Sequence, residues 1–341
     1  MKTLILSAAT ALALTTATHA AEVTLRVHHF LSAESPAQVD LLMPWEKAVE
    51  EASGGRIDVQ IFPSMQLGGK PPQLFDQARD GIVDVSWTLL GYTPGRFPIA
   101  EVFELPFMAG TAEQTTAALQ EFQAKYLGDE LAQVHPLLLH APAAYKFHMV
   151  KGPINGLEDL AGKKIRAPSR AMTDALNALG GTAVGMPVPE VAQSLTTGVI
   201  DGAQIPWEVV GSLRVNEIAR YHTEMGAENG GMSTAVMALV MNKAKYDALP
   251  DDLKKVIDEN SGAALAKVAG AAFDRVESEQ RQAALDAGAQ INLIPADALA
   301  PWRDRVQPVV AAWVKSMDDR GLDGQAMLDD ARAMLTAAGA P

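Results

Sequence analysis

Apolar and polar residues alternate in Val23-Thr-Leu-Arg-Val-His-His29, a two-residue rhythm rich in β-branched side chains that predicts an opening strand. From Ser35-Pro36 the spacing lengthens to a helical one through Trp45, Val49 and Ala52, and Gly54-Gly55 stops it. Arg56 to Phe62 reads as a second strand closed by Pro63, and Pro71 to Arg79 as a helix with Gly81 past its end. The strand Ile82-Val-Asp-Val-Ser-Trp87 follows at once. Strand and helix keep alternating through the first half, the signature of an α/β fold with a largely parallel sheet.

One phrase occurs twice. Phe75-Asp-Gln-Ala-Arg-Asp-Gly-Ile-Val-Asp84 is echoed by Ala192-Gln-Ser-Leu-Thr-Thr-Gly-Val-Ile-Asp201. Each has a helix end, a glycine suited to a left-handed position, then two β-branched residues and Asp. Ordinary helix-to-strand turns have this composition too. The alternative is that two lobes share one plan, and Lys163-Lys-Ile-Arg166-Ala-Pro, a strand opening a second such series, favours it.

The last third differs in texture. Val236-Met-Ala-Leu-Val-Met-Asn242 predicts a buried strand. From Pro250 to about Ala287 the pattern predicts one nearly continuous Ala-rich amphipathic helix stopped by Gly288, with further helices over Pro301–Met317 and Gly324–Ala338. A helix this long can pack across two lobes.

Composition narrows the setting. Met1-Lys2, an uncharged apolar run over Leu4–Ala17 and Thr18-His19-Ala20 before Ala21-Glu22 read as a cleaved export leader over 1–20. With no cysteine there is neither a disulfide staple nor thiol chemistry, so stability must come from a large core. The net charge of −13, or −14 once Lys2 leaves with the leader, argues against nucleic-acid or anionic-membrane partners. It leaves an anionic ligand open, since one buried arginine overrides the mean field at short range.

Catalytic signatures are missing from the sequence. There is no Gly-x-Ser-x-Gly elbow, no phosphate-binding Gly-Lys-Ser loop and no His-Glu-x-x-His helix. His28 and His29 are adjacent on a strand, where neighbours point to opposite faces, so no metal site and no cofactor is expected from them. Arg166 is more informative. It ends a strand and is followed by Ala-Pro-Ser-Arg170 before a helical segment, and ligands of α/β sheets sit at the carboxyl ends of strands. Its planar fork suits a carboxylate, although an ordinary surface arginine opening a loop fits the same pattern. Aromatic residues make up only 6% of the chain, yet Phe30, Trp87, Tyr92, Phe147 and Trp207 gather near strand ends. Core packing explains Phe97 and Phe107; Trp87 and Tyr92 read as pocket walls.

Several stretches in order carry a family likeness: Phe62-Pro-Ser-Met-Gln-Leu-Gly-Gly, Phe103-Glu-Leu-Pro-Phe107, Leu160-Ala-Gly-Lys-Lys-Ile-Arg-Ala-Pro168, Gly185-Met-Pro187, Leu195-Thr-Thr-Gly-Val-Ile-Asp-Gly202 and Val240-Met-Asn-Lys243. Through them the mature chain resembles the DctP-like solute-binding proteins of TRAP (tripartite ATP-independent periplasmic) transporters. The resemblance implies a two-lobed α/β periplasmic binding protein with a ligand cleft between the lobes and a long helix spanning both. Residues 21–145 plus about 236–275 would form one lobe, and 146–235 plus about 276–341 the other. It also implies a monomer that hands a small carboxylate to TRAP membrane subunits, with Arg166 pairing the ligand carboxylate.

One departure bears on the ligand. Where the family typically reads Asp-Gly-Gln-Glu-Asn-Pro, this chain reads Asp201-Gly-Ala-Gln-Ile-Pro206, so Ile205 replaces an Asn that supports the carboxylate. Arg170, Gln204 or a backbone amide would have to supply that contact, and the wall becomes more apolar. Together with Phe30, Trp87, Tyr92, Phe147, Trp207 and His28 as expected ligand contacts, this favours an aromatic or apolar monocarboxylate such as a benzoate-like acid. The competing readings are a periplasmic enzyme acting on a small acid and a sensory ligand-binding protein.

Overall fold

The computed structural model describes residues 21–225 and 231–340; the expected leader over 1–20 therefore lies outside the described residues. In chain order the strands are β1 (Val23–His29), β2 (Ile57–Phe62), β3 (Val85–Leu89), β4 (Val134–His140), β5 (Lys146–Met149) and β6 (Lys164–Ala167). They continue with β7 (Thr182–Gly185), β8 (Gly202–Ile205), β9 (Tyr221–Met225), β10 (Met237–Asn242) and β11 (Gln290–Ile294). Two sheets result, ordered β2-β1-β3-β10-β4 and β11-β9-β5-β8-β6-β7. Helices cover the faces; β3 and β10 are buried along their whole length, and β10 is apolar on both sides through Met241.

The expectation of a largely parallel sheet needs one correction in each lobe. β10 runs antiparallel to both β3 and β4, and β5 antiparallel to both β8 and β9. The reason lies in the chain path. The other strands of each sheet end at the cleft between the sheets, where Trp87, Leu89, Arg166 and Ile205 line a shared cavity. β5 and β10 are the strands by which the chain enters one lobe from the other. They start at the cleft, with Tyr145 and Met237 lining the same cavity, and so run away from it.

The twice-used sequence phrase builds the same corner in both lobes. Gly81 and Gly198 hold φ of +74° and +72°, a region open to glycine and strained for other residues. Beyond each glycine an aspartate bonds the neighbouring strand. Asp84 N–H donates to the Arg26 carbonyl and Asp84 Oδ2 accepts from the Arg26 amide at 2.9 Å; Asp201 makes the same pair of bonds with Lys164, also at 2.9 Å through Oδ2. Each carboxylate thus satisfies a strand amide that would otherwise lack a partner.

The long amphipathic stretch after Pro250 is two helices, not one. Asp251–Glu259 ends at Asn260, and Gly262–Asp286 starts after Ser261; the Asn-Ser-Gly sequence is a cap-and-turn signal inside the apolar rhythm. Gly288, at φ +80°, ends the second as expected. This second helix spans both lobes. Asp274 accepts the Ala112 and Glu113 amides at 2.7 and 3.0 Å, capping the Ala112–Tyr126 helix of the first lobe. One turn on, Glu277 pairs with Lys146 on β5, and Arg281 grips Glu224 on β9 at 2.8 Å. The chain after the bridge does not stay with the second lobe. Ala300–Asp318 packs on the Arg170–Ala178 helix, whereas Gly324–Ala337 returns to the Ala112–Tyr126 helix of the first.

At Gly270 the bridging helix lies close against its neighbour: a Cβ there would sit 2.6 Å from Glu113 Cα. Alanine is the better helix former by about 1 kcal/mol. Forced overpacking against backbone costs about 1–3 kcal/mol. Gly270→Ala is therefore expected to lower the chemical-denaturation midpoint; a raised midpoint would show that the two helices are not held at this separation.

Candidate ligand-binding site

Arg166 is 1% exposed at the carboxyl end of β6. Its Nε donates to the Met186 carbonyl and its Nη1 to the Gln204 carbonyl, both at 3.0 Å. These carbonyls belong to the ends of the two strands flanking β6, so backbone holds the guanidinium across three strands, with the Tyr92 hydroxyl beside it. Nη2 has no partner. Among the described residues no carboxylate forms an ion pair with Arg166. A cation held this deep without a counter-ion is costly, by several kcal/mol in general, and both Nη2 hydrogens and one Nη1 hydrogen remain to be given to an acceptor.

The guanidinium faces a cavity of about 370 Å³ between the lobes. Phe30, Leu31, Trp87, Leu89, Tyr92, Pro142, Met237 and the bridging helix's Phe273 line it from the first lobe and the bridge. Tyr145, Val188, Ile205, Pro206, Glu208 and Val209 line it from the second. Phe30 stacks on Trp87 with ring centroids 5.0 Å apart and meets Tyr92 edge-on at 5.4 Å. Trp87 is fixed in turn by its Nε1–H, which donates to His140 Nε2 at 2.9 Å. Burial lowers the His140 pKa to about 3, so the ring stays neutral and keeps that lone pair.

A second histidine system holds the opposite wall. His148 Nε2 lies 3.1 Å from the Ile205 carbonyl, which can only accept, so this nitrogen carries the proton. His148 Nδ1 must then accept from His222 Nδ1, 2.8 Å away. Burial, with each ring opposing a charge on its neighbour, lowers the His148 pKa well below its ordinary value; burial takes His222 to about 4. Trp207 packs edge-on against His148 at 4.8 Å and donates to Glu224 at 2.7 Å. The wall carrying Ile205 is therefore fixed from behind by the neutral His222–His148–Ile205 chain and by the bond from Trp207 to the Glu224 carboxylate.

Of the nine expected contacts, Arg166, Trp87, Tyr92 and Phe30 come together around this cavity. The other five do not line it. Gln204 contributes its backbone carbonyl to Arg166. Trp207 stands behind the wall, and Phe147 turns to the opposite face of its strand, beside Trp302 at 6.3 Å. His28 bonds Gln77 at 2.7 Å and accepts the Leu67 amide at 3.2 Å, pinning a loop in which Ser64 and Met65 take positive φ. Arg170 forms a forked pair with Glu101 across the lobes, Nε to Oε1 at 3.1 Å. Sequence reasoning missed Tyr145, Glu208 and Phe273 as cavity walls. The adjacency of Glu208 to Trp207 after the Asp-Gly strand was the one available signal.

The lobes are closed over the cavity. The Tyr92 hydroxyl of the first lobe accepts the Val188 amide of the second at 2.9 Å, beside the Arg166 guanidinium. Glu104, raised to about 7 by burial, accepts the Val236 amide at 3.0 Å and meets Ser169 from the other lobe.

A family model for bacterial extracellular solute-binding proteins of family 7 matches residues 27–316. Solved structures agree. A TRAP solute-binding protein from a marine metagenome, specific for aromatic acids and solved with 3-hydroxybenzoate, is 43% identical with a TM-score of 0.91, covering 94% of this chain and 99% of that one. One from Rhodoferax ferrireducens T118, with copurified benzoate, is 42% identical with a TM-score of 0.90, covering 93% and 98%. One from Bordetella bronchiseptica with bound (R)- and (S)-mandelate is 30% identical with a TM-score of 0.84, covering 92% and 99%.

Two outcomes are expected. The unfolded His140 imidazole binds a proton near pH 6.5, the folded one only near about 3. Its contribution to stability is thus present above about pH 6.5 and lost as pH falls toward about 3. Nitrogen-15 spectra should show a neutral His140 ring protonated on Nδ1 at pH 5; an imidazolium there would refute the bond from Trp87. Arg170→Ala removes an exposed ion pair, worth about 0–1 kcal/mol. It should weaken ligand binding by at most about fivefold, and a loss of a hundredfold would make Arg170 a direct contact.

Proposed function

The chain belongs to the bacterial extracellular solute-binding proteins of family 7 and is a solute-binding protein of the TRAP type, and on that premise we propose that it captures an aromatic monocarboxylate, benzoate-like in size, with Arg166 as the carboxylate clamp. The observation that carries the reading is the unpartnered Nη2 of a buried Arg166, the one basic residue lining a mostly apolar cavity. A bound carboxylate supplies the missing counter-ion through charge-assisted, forked hydrogen bonds. The ring end is received by Phe30, Trp87, Tyr92, Ile205 and Phe273. Burying an aromatic group of that size contributes about 1.5–3 kcal/mol. Arg166 is the sole lysine, arginine or histidine among the lining residues, so a dicarboxylate would bury a second charge without a partner. Sugar acids would leave several hydroxyls against apolar walls. The aromatic acids named for the similar solved proteins support the same class.

Binding and closure are linked because both lobes furnish the cavity. An acid that touches both shifts the population toward the closed form, in which Tyr92 meets Val188. That form is what TRAP membrane subunits would receive. In this reading residues 1–20 direct export, and the mature chain acts as a monomer in the periplasm.

The test is a thermal-shift and calorimetric panel of mono-, di- and sugar acids with the mature protein. Aromatic monocarboxylates should raise the melting temperature by mass action. Arg166→Ala should abolish the shift, a loss of at least about a hundredfold given roughly 1.5–3 kcal/mol per charged hydrogen bond. Arg166→Lys should not restore it, since an ammonium cannot keep both backbone carbonyls and the fork. Stabilisation only by dicarboxylates or sugar acids, or undiminished affinity in Arg166→Ala, would sink the assignment.

A further inference from the structure

We infer that Glu208 is a specificity-determining residue, hydrogen-bonding a hydroxyl or other polar substituent on the ring of the bound acid. The inference rests on the reading of this cavity as an aromatic-acid site and names what that site selects within the class.

Glu208 belongs to the short helical turn Trp207–Val209 directly after β8 and Pro206, and it lines the cavity at 4% exposure. Its Oε2 has no hydrogen-bond partner. Glu208 makes no ion pair with Arg166, so it does not neutralise the guanidinium whose cavity it shares. Behind it lies Glu277 of the bridging helix, which accepts the Glu208 amide at 3.0 Å and pairs with Lys146. Glu277 thus has the Lys146 cation beside it, whereas Glu208 has only backbone donors and keeps one oxygen without a partner. Burial first, and the neighbouring Glu277 second, push the Glu208 carboxyl well above the ordinary carboxylate range, with Lys146 and nearby backbone N–H groups opposing. The Glu277 carboxyl is raised by burial as well, with Lys146 opposing, so of the two Glu208 is driven further toward its neutral form.

The charge count then closes. A monocarboxylate neutralises Arg166, and the neutral form of Glu208 that burial favours adds no second negative charge beside it. A neutral carboxyl offers one O–H donor and a carbonyl acceptor, the pair that a ring hydroxyl or carbonyl matches. Tyr145 lines the same cavity, and its hydroxyl feels both Arg166 and Glu208, so the two polar groups serve one enclosed space. Against an unsubstituted ring the Oε2 stays unsatisfied, which is the ordinary basis for discrimination by a polar pocket group.

The experiment is calorimetry of the mature protein with benzoate, its three monohydroxy isomers and the three methylbenzoates, which fill similar space without a polar hydrogen. In the wild type, at least one hydroxy isomer should bind on the order of tenfold tighter than benzoate and than the methyl acid of the same ring position. Glu208→Gln retains a donor and an acceptor and should keep that ratio within about threefold. Glu208→Leu should bring it toward one. Equal affinities for hydroxy and methyl isomers in the wild type, a comparison that needs no variant to fold, would overturn the inference, as would an unchanged ratio in Glu208→Leu. If no aromatic acid binds the wild type at all, the underlying reading fails; if benzoate binds without discrimination, only the role of Glu208 fails.

Discussion

The structure turns on one uncompensated charge. Arg166 is buried, its Nε and Nη1 held by the carbonyls of Met186 and Gln204, and it has no acid to pair with. Backbone carbonyls stabilise a guanidinium without neutralising it, so the cation is tolerated in the free protein and still attracts an anion. A carboxylate side chain in the same place would satisfy the arginine and take the position proposed for the ligand's own carboxylate. The neighbouring acids conform to this requirement: Glu277 is committed to Lys146, Glu101 to Arg170 and Glu224 to Arg281, while burial pushes Glu208 toward its neutral form.

Rigidity around that charge is built from neutral groups. The Trp87–His140 bond fixes the first-lobe wall, and the His222–His148–Ile205 chain fixes the second-lobe wall. Burial keeps all three histidines uncharged, so neither wall adds a competing cation near Arg166. Few chain segments cross between the lobes: those at β4–β5 and β9–β10, the bridging helix, and the return to Gly324–Ala337. The bridging helix touches the first lobe through Asp274 and the second through Glu277 and Arg281, less than three turns apart, and it sends Phe273 into the cavity between them.

Much of this was legible in the residue pattern. Strand-end placement marked Arg166, Trp87 and Tyr92, and the doubled Gly-x-x-Asp phrase marked two corners that proved identical in their hydrogen bonds. Replacement of the usual Asn by Ile205 marked an apolar wall, and Ile205 lines the cavity. What stayed hidden depends on side-chain direction or on distant partners. Phe147 and Trp207 lie beside cavity residues in sequence, yet a strand's alternation and a wall's thickness turn them away. Arg170 carries the right charge in the right loop, but Glu101, far off in the chain, takes it. The break at Asn260-Ser261-Gly262 falls inside an unbroken apolar rhythm, so periodicity alone runs through it.

The placement of β10 bears on how the chain folds. It lies between β3 and β4, but it is synthesised after nearly the whole of the second lobe. Until residue 237 emerges, the first sheet has an open seam at its centre, with β3 and β4 lacking their common neighbour. Closure of that seam depends on pairings far apart in sequence, which makes it slow. The first lobe therefore cannot complete its sheet ahead of the rest: its two halves stay unjoined until β10, which follows five of the six strands of the second sheet, is in place.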